Sequence, residues 1–185
     1  MGTAIAKHAL SDASAAKRES LSALGELHGV FQPIIAVAKG EIIAYEGLIR
    51  GPTSLHLPAA LFAAAAARGC SDELEYRASE VIVRGFAAAG LSGLLFVNFS
   101  AQAVIHLGSK SGCEQLLQIL EDCEIPARKL VIEITEPERV VDHAGMVAAV
   151  RRLRGIGAGL ALDDFGDGGK PAALGRVASR GRGIR

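Results

Sequence analysis

Oxygen-bearing side chains recur at or near the carboxyl ends of short apolar segments along this chain. In a barrel of parallel strands, the carboxyl ends of the strands carry the active site. If the apolar segments are strands of this kind, we expect their polar side chains to converge on one site. The residues concerned are Glu46, Asn98, Glu133, Asp163 and Asp164.

A site that gathers several carboxylates needs a cation, because like charges repel strongly when they are taken out of water. Carboxylate and amide oxygens without histidine or thiolate suit a hard ion, Mg²⁺ or Mn²⁺, rather than zinc. Such ions act on phosphoryl oxygens and lower the pKa of bound water. The pattern therefore favours metal-assisted hydrolysis of a phosphodiester, although the spacing alone does not specify the substrate.

Each of these residues also has a simpler structural interpretation. A single Glu or Asp after a strand is often a solvated turn residue or a helix N-cap. Asn98-Phe99-Ser100 can cap a helix, and Asp163-Asp164 before Phe165-Gly166 can form an Asx-turn. One shared site is the more economical explanation, but the residues alone leave both interpretations open.

The elements that must position these residues follow an α/β pattern. Two strand-like segments flank the Lys39-Gly40 turn, and so short a connection predicts an antiparallel pair. Beyond this pair, helices alternate with short apolar strands, which predicts a parallel sheet buried on both faces. Strands are predicted over residues 31–37, 41–48, 94–98, 130–134 and 160–162, and helices over 58–67, 72–89, 113–122 and 142–154.

The composition excludes several classes of protein. The 185 residues are 50% hydrophobic, so one sizeable core is expected. The formal net charge is zero, so the protein as a whole has no electrostatic attraction for nucleic acid. Three cysteines without a C-x-x-C spacing indicate reduced thiols. The five histidines show no metal-binding spacing and receive no role. No signal peptide or membrane span is recognised, which predicts a cytoplasmic protein.

The same residues lie in segments that resemble the motifs of one family. Glu46-Gly47-Leu48 resembles the signature tripeptide of the EAL domain family, with Gly47 where the family usually has Ala. In order along the chain, the other similar segments are Phe31-Gln32-Pro33-Ile34, Val97-Asn98-Phe99-Ser100, Glu133-Ile134-Thr135-Glu136 and Asp163-Asp164-Phe165-Gly166.

The resemblance implies an incomplete TIM-like (β/α) barrel with an antiparallel first strand, of which about five of eight strands are present. It implies that Mg²⁺ or Mn²⁺ is held by Glu46, Asn98, Glu133 and Asp163, with Asp164 on a second metal. It implies that Gln32 and Arg50 bind cyclic di-GMP and that Glu136 organises a neighbouring loop. The reaction implied is hydrolysis of cyclic di-GMP to linear pGpG by metal-activated water, in bacterial second-messenger signalling.

Later parts of the family pattern have no counterpart in these 185 residues. They are a K-I-D strand, whose Lys acts on the catalytic water, an E-x-V-E strand and a Gln-bearing stretch. A full barrel of this type needs roughly 250 residues. We therefore expect a C-terminally truncated EAL domain over residues 29–168, after a helical lead-in over 1–28, that is inactive as this chain.

Residues 169–185 form an atypical tail, since residues 170–185 hold five basic and no acidic residues. A one-base shift of the codons possible for residues 169–180 allows a segment that resembles the family's next helix. Our hypothesis is that the tail is frameshifted or mis-called, and it fails if no other frame of the coding DNA continues with K-I-D and E-x-V-E segments.

An alternative function is a non-catalytic EAL-like module that binds cyclic di-GMP or a protein partner. A generic metal-dependent phosphatase is a weaker third, because the ligand set does not name the substrate. An upstream regulatory domain and a homodimer are both left open.

Overall fold

The structure, a computed structural model, describes residues 16–17, 19–135 and 141–162. The chain divides into two compact units, Met1–Ser92 and Gly93–Arg185. Of the predicted site residues, Glu136, Asp163 and Asp164 lie outside the described residues, as does the tail over 169–185.

The first unit contains the predicted antiparallel hairpin. Strand β1, His28–Ala36, pairs with strand β2, Glu41–Arg50, with a register irregularity between Ile34 and Ile35. Gly40 in the connecting turn has φ of +67°, a left-handed conformation that glycine adopts without the steric cost of a Cβ. The prediction of an antiparallel first strand is confirmed, although β1 begins three residues before its predicted start and β2 ends two residues after its predicted end.

Two helices follow the hairpin. Helix α1, Pro58–Ala67, begins with proline, whose missing N–H costs nothing at the first helical position. Helix α2, Ser71–Ala88, buries a face formed by Leu74, Ala78, Ile82 and Phe86, which recur every four residues.

Helix α2 covers one face of the hairpin. The ring of Phe86 meets Phe31 of β1 and Tyr45 of β2 edge-on, with centroids 5.8 and 6.0 Å apart. Aromatic pairs of this geometry add about 0.5–1.5 kcal/mol beyond the burial of their surface. The three rings therefore fix which side of the hairpin is turned toward the helix.

The second unit is a parallel α/β arrangement. Strand β4, Leu130–Thr135, lies between β3, Leu94–Ser100, and β5, Gly159–Leu162, and pairs in parallel with both. The helices are α3, Ala101–Leu107, α4, Lys110–Asp122, and α5, His143–Gly155. The predicted parallel sheet is confirmed. Within the described residues, no helix is long and apolar enough to cross a membrane.

Helix α3 was not predicted, and its first turn shows which residue of the segment 98–100 is the N-cap. Ser100 is the N-cap, and its Oγ accepts a hydrogen bond of 3.2 Å from the backbone N–H of Ala103. Asn98 instead lies inside β3, two residues before the strand ends. The capping side chain is therefore the serine of the segment, and Asn98 is left for another role.

Helices α3 and α5 pack in close contact at Gly108, which follows α3. A Cβ at this position would overlap the Cα and Cβ of Ala149 in α5. Arg152 of α5 donates a hydrogen bond of 2.8 Å from its Nη1 to the backbone oxygen of Gly108. The two helices approach so closely only because this residue has no side chain.

We predict that Gly108→Ala lowers the free energy of unfolding by about 1–3 kcal/mol, the usual cost of overpacking a close contact. The backbone at Gly108 has φ of −76°, which alanine adopts without strain, so the variant isolates the steric contact. Gly155→Ala in α5 is the matched control, because a Cβ there meets no atom within 4 Å. Urea unfolding should show a lower midpoint for the first variant only. Equal midpoints would contradict this packing.

Candidate functional site

Three predicted site residues share the face of the hairpin that points away from α2. Side chains alternate between the two faces of a strand. Because Phe31 and Tyr45 point toward α2, their sequence neighbours Gln32 and Glu46 point the other way. Gln32 and Glu46 are direct register partners across the hairpin. Arg50, four residues after Glu46 on β2, lies on the same face.

These side chains differ in exposure. Gln32 is exposed, whereas Glu46 and Arg50 are half-buried. The Nη1 group of Arg50 donates a hydrogen bond of 2.9 Å to the backbone oxygen of Ile49. The row thus combines an amide, a carboxylate and a guanidinium, which are groups that bind metal ions and phosphates.

Gly47, where the chain departs from the family tripeptide, lies on the other face. It is buried and is the register partner of Phe31, so it is directed toward α2. A change between Ala and Gly at this position alters the packing side of β2. The orientation of Glu46 on the polar side does not depend on it.

Asn98 and Glu133 are neighbours in the second unit. They are direct register partners on the parallel strands β3 and β4, so their side chains leave the sheet on the same face. Both are half-buried, while the preceding Val97 and Ile132 point to the opposite face and are 2% and 0% exposed. The partner of Glu133 on β5 is Ala161, whose small side chain leaves room beside the carboxylate.

The Asn98–Glu133 pair fits a hard divalent cation. Adjacent strands lie about 4.8 Å apart. Oxygen ligands contact Mg²⁺ at about 2.0–2.1 Å, so an amide and a carboxylate on neighbouring strands can reach one ion. Both donors are oxygens, the type that Mg²⁺ and Mn²⁺ prefer.

The ends of β3 and β4 past Asn98 and Glu133 are also paired and help to hold these two residues in place. β3 and β4 each continue for two residues past Asn98 and Glu133. There Thr135 donates a hydrogen bond of 3.2 Å from its Oγ1 to the backbone oxygen of Phe99. The two donors are therefore fixed within paired strands and do not sit on loose ends.

The complete predicted ligand set is not assembled within the described residues. Glu46 belongs to the first unit and the Asn98–Glu133 pair to the second, while Asp163 and Asp164 lie outside the described residues. Over the described ranges, no group of three or more His, Cys, Asp or Glu side chains is arranged to hold a metal. The shared site of five ligands stays a prediction.

Sequence reasoning gave the histidines no role, yet two of them lie together. The rings of His28 and His56 have centroids 6.4 Å apart, and His28 is the register partner of Arg50. Their separation along the chain hides this proximity. The only available signal was the hairpin register, which places residue 28 opposite residue 50.

Comparison with known proteins connects these features to a family. A model of the EAL domain matches residues 14–174. The cyclic di-GMP phosphodiesterase NbdA of Pseudomonas aeruginosa is 32% identical over 150 residues, which cover 77% of this chain and 18% of NbdA. The oxygen sensor protein DosP of Escherichia coli is 28% identical over 170 residues, which cover 83% of this chain and 20% of DosP. The chain thus spans about a fifth of the length of these curated relatives.

Solved structures give the same result for the fold. The calcium and cyclic di-GMP complex of Klebsiella pneumoniae BlrP1 at pH 8.0 aligns with a TM-score of 0.69 and 25% identity, over 79% of this chain and 36% of that one. This likeness confirms the predicted α/β class, as part of a TIM-like barrel. With the family model matching most of its length, the chain belongs to the EAL domain family.

Proposed function

We propose that this chain carries the metal-binding and nucleotide-binding strands of a cyclic di-GMP phosphodiesterase domain. The observation that carries the proposal is the Asn98–Glu133 pair, two oxygen donors in register on adjacent parallel strands. NbdA, a relative of this chain, is named a cyclic di-GMP phosphodiesterase. BlrP1 was solved with cyclic di-GMP together with calcium or manganese.

In this proposal the metal ligands are the oxygen donors Glu46, Asn98, Glu133, Asp163 and Asp164, and the ion is Mg²⁺ or Mn²⁺. When bound, such an ion neutralises the carboxylates, polarises a phosphoryl oxygen and lowers the pKa of a coordinated water. The rigid pairing of β3 and β4 keeps Asn98 and Glu133 in position, so little ordering is needed when the ion binds.

The hairpin supplies the nucleotide contacts. Arg50 presents a planar guanidinium, which can bind a phosphate through two parallel hydrogen bonds. Gln32, opposite Glu46 in the register, offers both an amide donor and an acceptor. Glu136 is proposed to organise a neighbouring loop.

The same proposal covers the organisation of the chain. Residues 29–168 form the EAL part, preceded by a helical lead-in over 1–28 and followed by the atypical tail over 169–185. A cytoplasmic location fits a domain that acts on an intracellular second messenger. An upstream regulatory domain and a homodimer remain compatible with this arrangement.

A second candidate is a module that binds cyclic di-GMP without hydrolysing it. The two functions share the metal and nucleotide contacts and differ only in turnover.

We predict that the purified 185-residue chain binds cyclic di-GMP in the presence of Mg²⁺ or Mn²⁺ but forms no pGpG. Chromatography of the reaction products measures turnover, and calorimetry measures binding. Formation of pGpG in proportion to the amount of chain would refute the expected inactivity. Absence of binding would refute the nucleotide site itself.

We predict that Arg50→Ala weakens binding of cyclic di-GMP by about 10- to 100-fold, because hydrogen bonds to charged groups contribute about 1.5–3 kcal/mol. Arg154→Ala is the matched control, since Arg154 is an exposed arginine in the last turn of α5. Calorimetric titration of both variants measures the difference. Equal affinities for the two variants would exclude Arg50 as a phosphate ligand.

We predict that Asn98→Asp lowers the free energy of unfolding by about 1 kcal/mol in EDTA, because two like charges then lie side by side on adjacent strands. Millimolar Mg²⁺ should remove this deficit, since a bound cation neutralises both carboxylates. The double variant Asn98→Asp with Glu133→Gln carries one carboxylate and should show no deficit in EDTA. Urea unfolding with and without Mg²⁺ provides the measurement. A loss of stability that persists in Mg²⁺ and also in the double variant would argue against a cation between Asn98 and Glu133.

A further inference from the structure

His28, Arg50 and His56 lie together at one end of the β1–β2 hairpin. His28 is the first residue of β1 and the register partner of Arg50, the last residue of β2. After β2 the chain forms a short 3₁₀ turn, Thr53–Leu55, and this turn brings His56 back toward β1. The two imidazole rings are 6.4 Å apart between centroids and are tilted by 39°.

The cluster lies in line with the proposed nucleotide contacts. His28 precedes Gln32 by four residues on β1, so it occupies the same face of the hairpin as Gln32, Glu46 and Arg50. Both histidines are exposed and Arg50 is half-buried. A ligand that reaches Arg50 along this face therefore also reaches the imidazoles.

Among the described residues, the Glu46 carboxylate shares this face of the hairpin with the cluster, four residues before Arg50 on β2. In the described part of the chain, none of the three residues forms an ion pair, and Arg50 makes one hydrogen bond, to a backbone oxygen. Residues 51–67 contain no ionisable side chain except His56. Helix α2 packs on the opposite face of the hairpin, and the acid closest to His28 in sequence, Glu26, lines a groove with Arg77 of α2.

We propose that His28 and His56 complete a phosphate subsite around Arg50 and bind a phosphoryl group of the nucleotide. The identity of the nucleotide rests on the proposed function, whereas the preference for an anion rests on the cluster itself. Arg50 offers a planar fork of N–H donors, and each imidazole adds one ring donor from a separate direction.

Protonation of the imidazoles couples this subsite to pH. Histidine is the side chain whose charge changes between about pH 5 and 8. A protonated ring donates from both nitrogens and carries a positive charge, so phosphate binding strengthens as the pH falls. Because Arg50 stays charged throughout this range, it supplies a part of the affinity that does not vary with pH.

The test is calorimetric titration of the full chain with cyclic di-GMP and Mg²⁺ at pH 6 and pH 8. We expect the wild-type chain to bind about tenfold more tightly at pH 6, the size of one charge-assisted hydrogen bond. The double variant His28→Ala with His56→Ala should lose this difference. His143→Ala, an exposed histidine at the start of α5, should retain it. His28→Lys, which keeps a positive charge at both pH values, should bind more tightly than wild type at pH 8.

Two outcomes separate this inference from the function on which it rests. If the wild-type chain binds and the double variant keeps the same pH dependence, the histidine subsite is refuted while the proposed function stands. If the wild-type chain does not bind the nucleotide, the proposed function fails. Inorganic phosphate then tests the subsite alone, through the ring resonances of His28 and His56 in nuclear magnetic resonance spectra. Saturable shifts of both rings would support the subsite, and unchanged resonances would refute it.

A parallel titration with pGpG identifies the phosphoryl group that is recognised. The linear product carries a terminal phosphate with more negative charge than a cyclic diester. If the double variant loses more affinity for pGpG than for cyclic di-GMP, the subsite binds the terminal phosphate. An equal loss of affinity for the two nucleotides would indicate that the subsite binds a phosphodiester.

Discussion

Packing of Phe86 against Phe31 and Tyr45 determines the orientation of the hairpin on which much of the candidate site depends. Because side chains alternate along a strand, these two contacts turn Gln32 and Glu46 to the opposite side. A slip of one residue in register would exchange the two faces and bury the polar row against α2. The aromatic contacts therefore specify the polar face without touching it.

The parallel pair β3–β4 imposes a comparable constraint by a different route. Val97 and Ile132 are fully enclosed on one face, so Asn98 and Glu133 must emerge on the other. A carboxylate held half-buried beside an amide loses part of its hydration, and that loss is offset most directly by a cation. The geometry that secures the core thus also creates a position that a divalent ion can stabilise. This link connects the packing of the sheet with the proposed chemistry.

Much of this fold could be predicted because local patterns were strong. The Lys39-Gly40 turn fixed the antiparallel hairpin, and the apolar segments before Asn98 and Glu133 indicated buried parallel strands. Helix α3 was missed because its seven residues are too few to display a helical period. Ser100 and Asn98 were equally suitable as caps by residue type, and only the extent of β3 separates them.

The candidate site was predictable only in part, since a motif names residues but not their neighbours. The segments around Glu46, Asn98 and Glu133 indicated the candidate donors, yet the register partners Gln32–Glu46 and Asn98–Glu133 emerge only once the strands are paired. The proximity of His28 and His56 depends on a register and a 3₁₀ turn that no periodicity reveals. Contacts between residues distant in sequence lie beyond what local patterns can specify.

Gly47 shows why the departure from the family tripeptide need not affect the proposed chemistry. As the register partner of Phe31, it lies on the packing side of β2, whereas Glu46 lies on the polar side. Loss of a methyl group there removes a small amount of buried surface, about 0.8 kcal/mol for one carbon, and makes the backbone less restricted. The substitution therefore acts on the stability of the hairpin, while the direction of the Glu46 carboxylate is set by the pairing of β2 with β1. Because the two side chains lie on opposite faces of β2, a change at Gly47 does not alter the surroundings of Glu46 on the polar face.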